Sequence, residues 1–211
     1  MKQQIENNSV RVAGIIEGTP ELNHSVYGEN FYMIFIRVNR ISDNYDVLPL
    51  IVSERLVDID SLTEGTAIDV LGQFRSYNKD NGDGKKHLVL SIFVRELEFI
   101  EDFDEQQDCI NQIEIVGYLC KEPSYRKTPL GREICDALFA VNRTYGKSDY
   151  LPSILWGRNA QYFSTKSVGE QFKIKGRIQS REYNKKISED KFETRVAYEI
   201  SVSQFEEIDE Q

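Results

Sequence analysis

The side chains of this chain best suited to chemistry are aromatic and basic, and they gather in its second half. Lys173, Lys175, Arg177 and Arg181 share one strand parity, opposite the apolar Phe172, Ile174 and Ile178, and Tyr183 continues the basic side. Tyr150 and Trp156 also share a parity, and Tyr145 sits in the turn before them. Flat rings offer faces on which bases stack, each worth roughly 1–3 kcal/mol, while a row of cations tracks phosphates. Those are the two ingredients of sequence-tolerant binding to an unpaired nucleic-acid strand. Plainer readings stand beside this one. A lone Trp also serves as a core anchor, Tyr145 as an ordinary loop residue, and an alternating lysine stripe as a solvated face.

Other chemistries find little support. Cys109, Cys120 and Cys135 form no CxxC pair and have only His24 and His87 as further ligands, so no metal site and no cofactor is expected. No Ser/His/Asp order, carboxylate cluster or phosphate loop appears, and an enzyme is not expected. The N-terminus lacks an apolar run of signal-peptide type, and no stretch has the roughly 18 apolar residues of a membrane span. The expected location is the cytoplasm, away from membranes.

The elements that must position these residues come from a repeat. With 211 residues, 40% hydrophobic and 29% charged, the chain can form two domains. A shift of 103 places Asn8 on Asn111, Gly14 on Gly117, Pro20 on Pro123, Gly28 on Gly131 and Val38-Asn39-Arg40 on Val141-Asn142-Arg143. One further residue superposes Gly65 on Gly169 and Gly72 on Gly176, and two more bring Tyr77-Asn78-Lys79 onto Tyr183-Asn184-Lys185. The reading is a duplication. Domains are expected at 1–103 and 111–205, with an acidic linker at 104–110 and a short acidic tail at 206–211.

Charge follows the same division. The net charge of −9 disfavours a polyanionic partner only until it is mapped. Residues 1–110 hold 10 Lys/Arg against 20 Asp/Glu, and residues 111–205 hold 16 against 11, a balance of −10 beside +5.

Each copy predicts an all-β unit. Alternation marks a first strand around Val10 and Val12 or Ile113 and Ile115, then strands at 31–40 and 46–53 or 134–143 and 150–156. A short helical stretch follows, at 54–62 or 158–166. A fourth strand alternates Ile68, Val70, Gly72 and Phe74, or Phe172, Ile174, Gly176 and Ile178, and a polar hairpin loop leads into a fifth. Five strands with a helix between the third and fourth is the order of the OB-fold, a Greek-key barrel, so two tandem OB-fold barrels are expected.

The second copy resembles the bacterial single-stranded DNA-binding proteins, the SSB family. The resemblance runs through Gly117-Tyr118-Leu119, Pro123, Arg126, Thr128-Pro129, Gly131 and Ala140-Val141-Asn142-Arg143. It continues in Asp149-Tyr150-Leu151-Pro152, Leu155-Trp156-Gly157-Arg158, Ala160 and the segment from Gly176 to Tyr183. It implies single-stranded DNA as partner, in replication, recombination or repair. It also implies base stacking on Tyr145, Tyr150, Trp156 and Tyr183, with Arg126, Arg143, Lys173, Lys175, Arg177 and Arg181 on the phosphates. Members of the family assemble four barrels, which here implies a homodimer. The resemblance also implies replication or repair proteins as partners, but the stub EEIDEQ stands where the family has the long Gly/Pro/Gln-rich tail that recruits them, which puts that route in doubt.

The first copy carries Ser42, Val47, Ser53 and Tyr77 where the second carries the aromatics, and Asp69, Leu71, Gln73 and Arg75 along its fourth strand. It is expected to be structural, giving oligomer contacts or a docking face. The rival to strand binding is a protein–protein adaptor, and RNA is the alternative strand.

Overall fold

In a computed structural model the chain is described at residues 7–42, 44–80, 86–188 and 191–208. The predicted hairpin tips and the last residues of the acidic tail lie outside these. The first copy contains β1 (Asn8–Val26), β2 (Glu29–Asn39), β3 (Tyr45–Ser53), β4 (Ala67–Asp80) and β5 (Lys86–Phe99). The second contains β6 (Ile110–Leu119), β7 (Ser124–Lys127), β8 (Glu133–Asn142), β9 (Ser148–Trp156), α1 (Arg158–Phe163), β10 (Gln171–Ser188) and β11 (Lys191–Ile208).

Each copy closes on itself. In the first, β1 pairs with both β2 and β4, while β3 joins β2 to β5, the last contact being parallel. In the second, β6 pairs with both β8 and β10, and β9 meets β11 in parallel. Both are the five-stranded OB barrel that the strand order predicts. Pro20 explains one difference between the copies. It sits where the β1–β2 ladder is irregular, between Glu17 and Glu21, so no ladder N–H is needed from it. Its counterpart Pro123 stands in a true break between β6 and β7. The helical stretch also differs. In copy two α1 buries Ala160 and Phe163, and the Phe163 ring packs 4.8 Å from Phe172. In copy one a single 3-10 turn, Ile59–Ser61, is capped by Asp58 and buries none of its own residues.

Gly72 and Gly176 are points of close backbone approach in the two barrels. A Cβ at Gly72 would lie 2.4 Å from the Phe93 carbonyl oxygen, and one at Gly176 2.2 Å from that of Ser201. Each marks the irregularity at which the fourth strand turns the corner against the fifth.

The barrels are joined through their first strands. β1 and β6 run antiparallel with Val10 opposite Ile113, Asn8 opposite Ile115 and Val12 opposite Asn111. A second junction is made of side chains. Arg40 binds Asp46, whose Oδ1 accepts from the Ser180 N–H at 2.7 Å, and the Ser180 hydroxyl accepts from the Val47 N–H at 3.2 Å. Reciprocally, Arg143 binds Asp149, whose Oδ1 accepts from the Ser76 N–H at 2.5 Å. The Ser76 hydroxyl accepts from the Tyr150 N–H at 2.8 Å. Asp46 and Asp149 are each only 1% exposed at the side chain, so both charges are sealed between the barrels.

Candidate nucleic-acid interface

Strand parity puts the candidate residues on the outside of the second barrel. Along β9, Leu151 and Leu155 point into the core, leaving Tyr150, Pro152, Ile154 and Trp156 on the outer face. Along β10, Phe172, Ile174 and Ile178 are core, and Lys173, Lys175, Arg177, Arg181 and Tyr183 face out. Trp156 is half-buried on that outer face, and its indole N–H donates to the Ser201 hydroxyl at 3.2 Å. Ser201 lies opposite Arg177 in the β10–β11 ladder and level with Ile154 of β9, two residues before Trp156, so the indole reaches it along the outer face.

Tyr145 is 99% exposed and adopts a φ of 69°, the left-handed region that a bulky residue rarely takes. Gly146, at a φ of 72°, completes the turn that lifts the ring into solvent. Tyr150 is 44% exposed, its backbone fixed by Ser76. Tyr183 is 39% exposed on the β10–β11 ribbon, with the Arg181 guanidinium 6.0 Å from its ring centre.

The six cations divide by their partners. Lys173 and Lys175 both close on Glu114, at 2.9 and 3.2 Å. These bonds, Lys173 first, lower the Glu114 carboxyl, and the Glu114 bond raises Lys173. Arg126 pairs with Asp136 at 2.7 Å, which raises its guanidinium. Arg181 stands 3.8 Å from Glu199. The Glu114 and Asp136 pairs are at the surface and weak, so an incoming phosphate can replace the carboxylate. Glu199, by contrast, is buried and also accepts from the Gln179 side chain at 2.6 Å. Arg177 and Arg143 are set deeper, held by Asp46 and Asp149 at the junction. Burial lowers the Arg177 guanidinium.

Three features went unseen in the sequence. The first copy also has aromatic residues on its outer face, but on a different strand. Phe93 of β5 occupies the place level with Ser201, and Ser53 of β3 the place level with Trp156. Phe93 lies beneath the Arg75 guanidinium at 3.9 Å and 5.9 Å from Phe31, which stacks on His24 at 4.8 Å. Second, counted along the continuous ladders from Gly72 and Gly176, Tyr77 is level with Arg181, two residues short of Tyr183. The length difference between the copies falls in the hairpin loops rather than before Tyr77. Third, Arg75, Arg95, Arg143, Tyr145 and Lys147 line one cleft between the barrels, of about 720 Å³. The register of the fifth strands against the two glycine corners is the signal that points to the first and third.

Among the described residues no group of three or more His, Cys, Asp or Glu could hold a metal ion, and no helix is long and apolar enough to cross a membrane.

Fold and surface together define a tandem OB-barrel protein whose C-terminal barrel has an aromatic and basic outer face. Residues 110–206 match the Single-strand binding protein family. Single-stranded DNA-binding protein 2 of Clostridium acetobutylicum is 30% identical over 97 residues, 43% of this chain and 73% of that one. The single-stranded DNA-binding protein of Clostridium tetani is 31% identical over 94 residues, 41% of this chain and 65% of that one. A deletion mutant of the single-stranded DNA binding protein from Thermus aquaticus shares the fold. Its TM-score is 0.73 at 19% identity, over 97% of this chain and 95% of that one. The chain belongs to the Single-strand binding protein family. The similarity covers under two thirds of the Clostridium tetani relative, and the family match leaves out the N-terminal barrel.

Proposed function

We propose that this chain is a non-enzymatic protein that holds single-stranded DNA, with the bases stacked on the C-terminal barrel, in replication, recombination or repair. One observation carries the reading. Tyr145, Tyr150, Trp156 and Tyr183 all stand outside the hydrophobic core, on a barrel whose outer face also bears Lys173, Lys175, Arg177 and Arg181. A tryptophan inside the barrel would be unable to stack on a base; Trp156 is hydrogen-bonded on the outer face instead.

The working division is 1–103, 104–110, 111–205 and 206–211, and the working assembly is a cytoplasmic homodimer of four barrels. Exposed Leu22, Val26 and Tyr27 at the β1–β2 hairpin supply apolar surface for such an assembly. A solution mass equal to one chain would rule the dimer out.

Titration with oligo-dT at two salt concentrations, followed by Trp156 fluorescence, tests the function. The expected result is quenching, with an affinity that falls steeply with salt as phosphate contacts release counterions. An adaptor that binds only protein would give neither change, and that outcome would overturn the reading.

A further inference from the structure

The repeat gives the molecule two junctions on equivalent backbone, so each serves as a control for the other. At one junction the cleft of about 720 Å³ is lined by Arg75 and Arg95 of the N-terminal barrel and by Arg143, Tyr145 and Lys147 of the C-terminal one. The equivalent places at the other junction hold Gln179, Ser203, Arg40, Ser42 and Asn44. Arg95 and Ser203 correspond because each is the extra residue at its corner, beside Gly72 and Gly176. Three of the four cations and the ring therefore occur at one junction alone. The cation that the other junction gains, Arg177, is held by Asp46 at 2.8 Å. A cleft of about 690 Å³ beside Ser180 and Val47 on that side is lined by Glu17 and Glu182, with no Lys or Arg among its described lining.

Cations outnumber carboxylates in the first cleft. Asp149 is the one carboxylate among its described lining, and both Asp149 oxygens are already engaged by Arg143, one of them also by the Ser76 N–H. Arg75 donates to the neutral Gln73 side chain, at 2.8 Å through Nη2, while its planar face rests on Phe93. Burial, with help from Arg143 and Arg95, lowers the Arg75 guanidinium to about 10, so it stays charged at neutral pH but crowded by like charge. An anion entering the cleft relieves that crowding, and planar guanidinium groups suit phosphate oxygens.

We infer that this cleft is a phosphate seat shared by the two barrels. In it Arg75 and Arg95 of the N-terminal barrel grip the backbone of a single strand whose bases stack on the C-terminal barrel. The inference rests on the strand binding proposed above and gives the N-terminal barrel a direct part in it.

The test uses the full chain with Arg95→Gln, with Arg75→Gln and Arg95→Gln combined, and with Arg55→Gln as a control. Arg55 is an exposed cation that pairs with Glu29 away from the cleft. Oligo-dT is titrated at several salt concentrations with Trp156 fluorescence as readout. The combined variant is expected to bind at least about tenfold more weakly, with a salt slope shallower by roughly 0.7 for each phosphate no longer neutralised. Its quench at saturation should stay unchanged. Arg95 is exposed, so Arg95→Gln alone keeps the test open if the combined variant folds poorly; it should weaken binding about threefold. Arg55→Gln should match the parent. If the parent binds and quenches but both cleft variants keep its affinity and salt slope, the shared seat is wrong and strand binding stands. If the parent itself neither binds nor quenches, both fall.

Discussion

Val10 faces Ile113 across the β1–β6 ladder, and each is the other's counterpart in the repeat. The pseudo-two-fold axis therefore passes between them. The Arg40–Asp46–Ser180 and Arg143–Asp149–Ser76 clusters are related by that axis, whereas the bond from Arg177 to Asp46 departs from it, Gln73 standing at the equivalent place.

Trp156→Ala should weaken oligo-dT binding by about 1–3 kcal/mol, the range for one stacked base, and abolish the fluorescence change. Tyr183→Ala should weaken it by a similar amount and leave the Trp156 quench visible. Fluorescence anisotropy of a labelled oligonucleotide checks both. Binding unchanged in the two variants would move the stacking surface elsewhere.

Asp149→Asn should destabilise the chain by roughly 3 kcal/mol, because it leaves the Arg143 guanidinium without its buried counter-charge. Asp46→Asn should be at least as severe, since Asp46 serves both Arg40 and Arg177. Urea unfolding measures both. A loss under about 0.5 kcal/mol would show that water enters the junction.

Gly176→Ala should destabilise by about 1–3 kcal/mol, the usual range for a forced clash, since its Cβ would meet the Ser201 carbonyl oxygen at 2.2 Å. Gly169→Ala is a contrasting case. Its Cβ meets nothing within 4 Å, but a φ of 98° makes the backbone the obstacle. Thermal unfolding of the pair separates crowding from backbone strain.

Burial pushes the Cys135 thiol up to about 11. The unfolded thiol, with its ordinary pKa of roughly 8.5, releases its proton first as pH rises. The native state then holds more protons than the unfolded one, so Cys135 lowers stability progressively from about pH 8.5 to 11. Urea midpoints across that range should fall, and Cys135→Ala should flatten the decline. At pH 8 native Cys135 should resist alkylation, whereas urea should render it reactive.

Much of this architecture is legible in the sequence because it is local. Alternation about Phe172, Ile174 and Ile178 fixes which side of β10 faces out, and the recurrent glycines fix the barrel corners. Tyr145, Tyr150, Trp156 and Tyr183 all fall outside the core, as parity and resemblance imply. What was hidden depends on partners far along the chain. Nothing near Arg177 announces Asp46, 131 residues away, and nothing near Lys173 announces that Lys175 shares Glu114 with it. Phe93 is silent for a related reason: the third strands carry the ring of copy two, whereas the bulky ring of copy one sits on its fifth.

The interlocked serine clusters bear on how the protein can be dissected. Separating the halves at 104–110 would deprive Asp46 of Ser180 and Asp149 of Ser76, and would bare two sealed carboxylates together with the β1 and β6 edges. A half-molecule prepared in that way would be a different object from the same half in place. Weak binding by an excised barrel would report its injured flank as much as its native surface, so point substitutions in the intact chain are the sounder route to apportioning function between the halves.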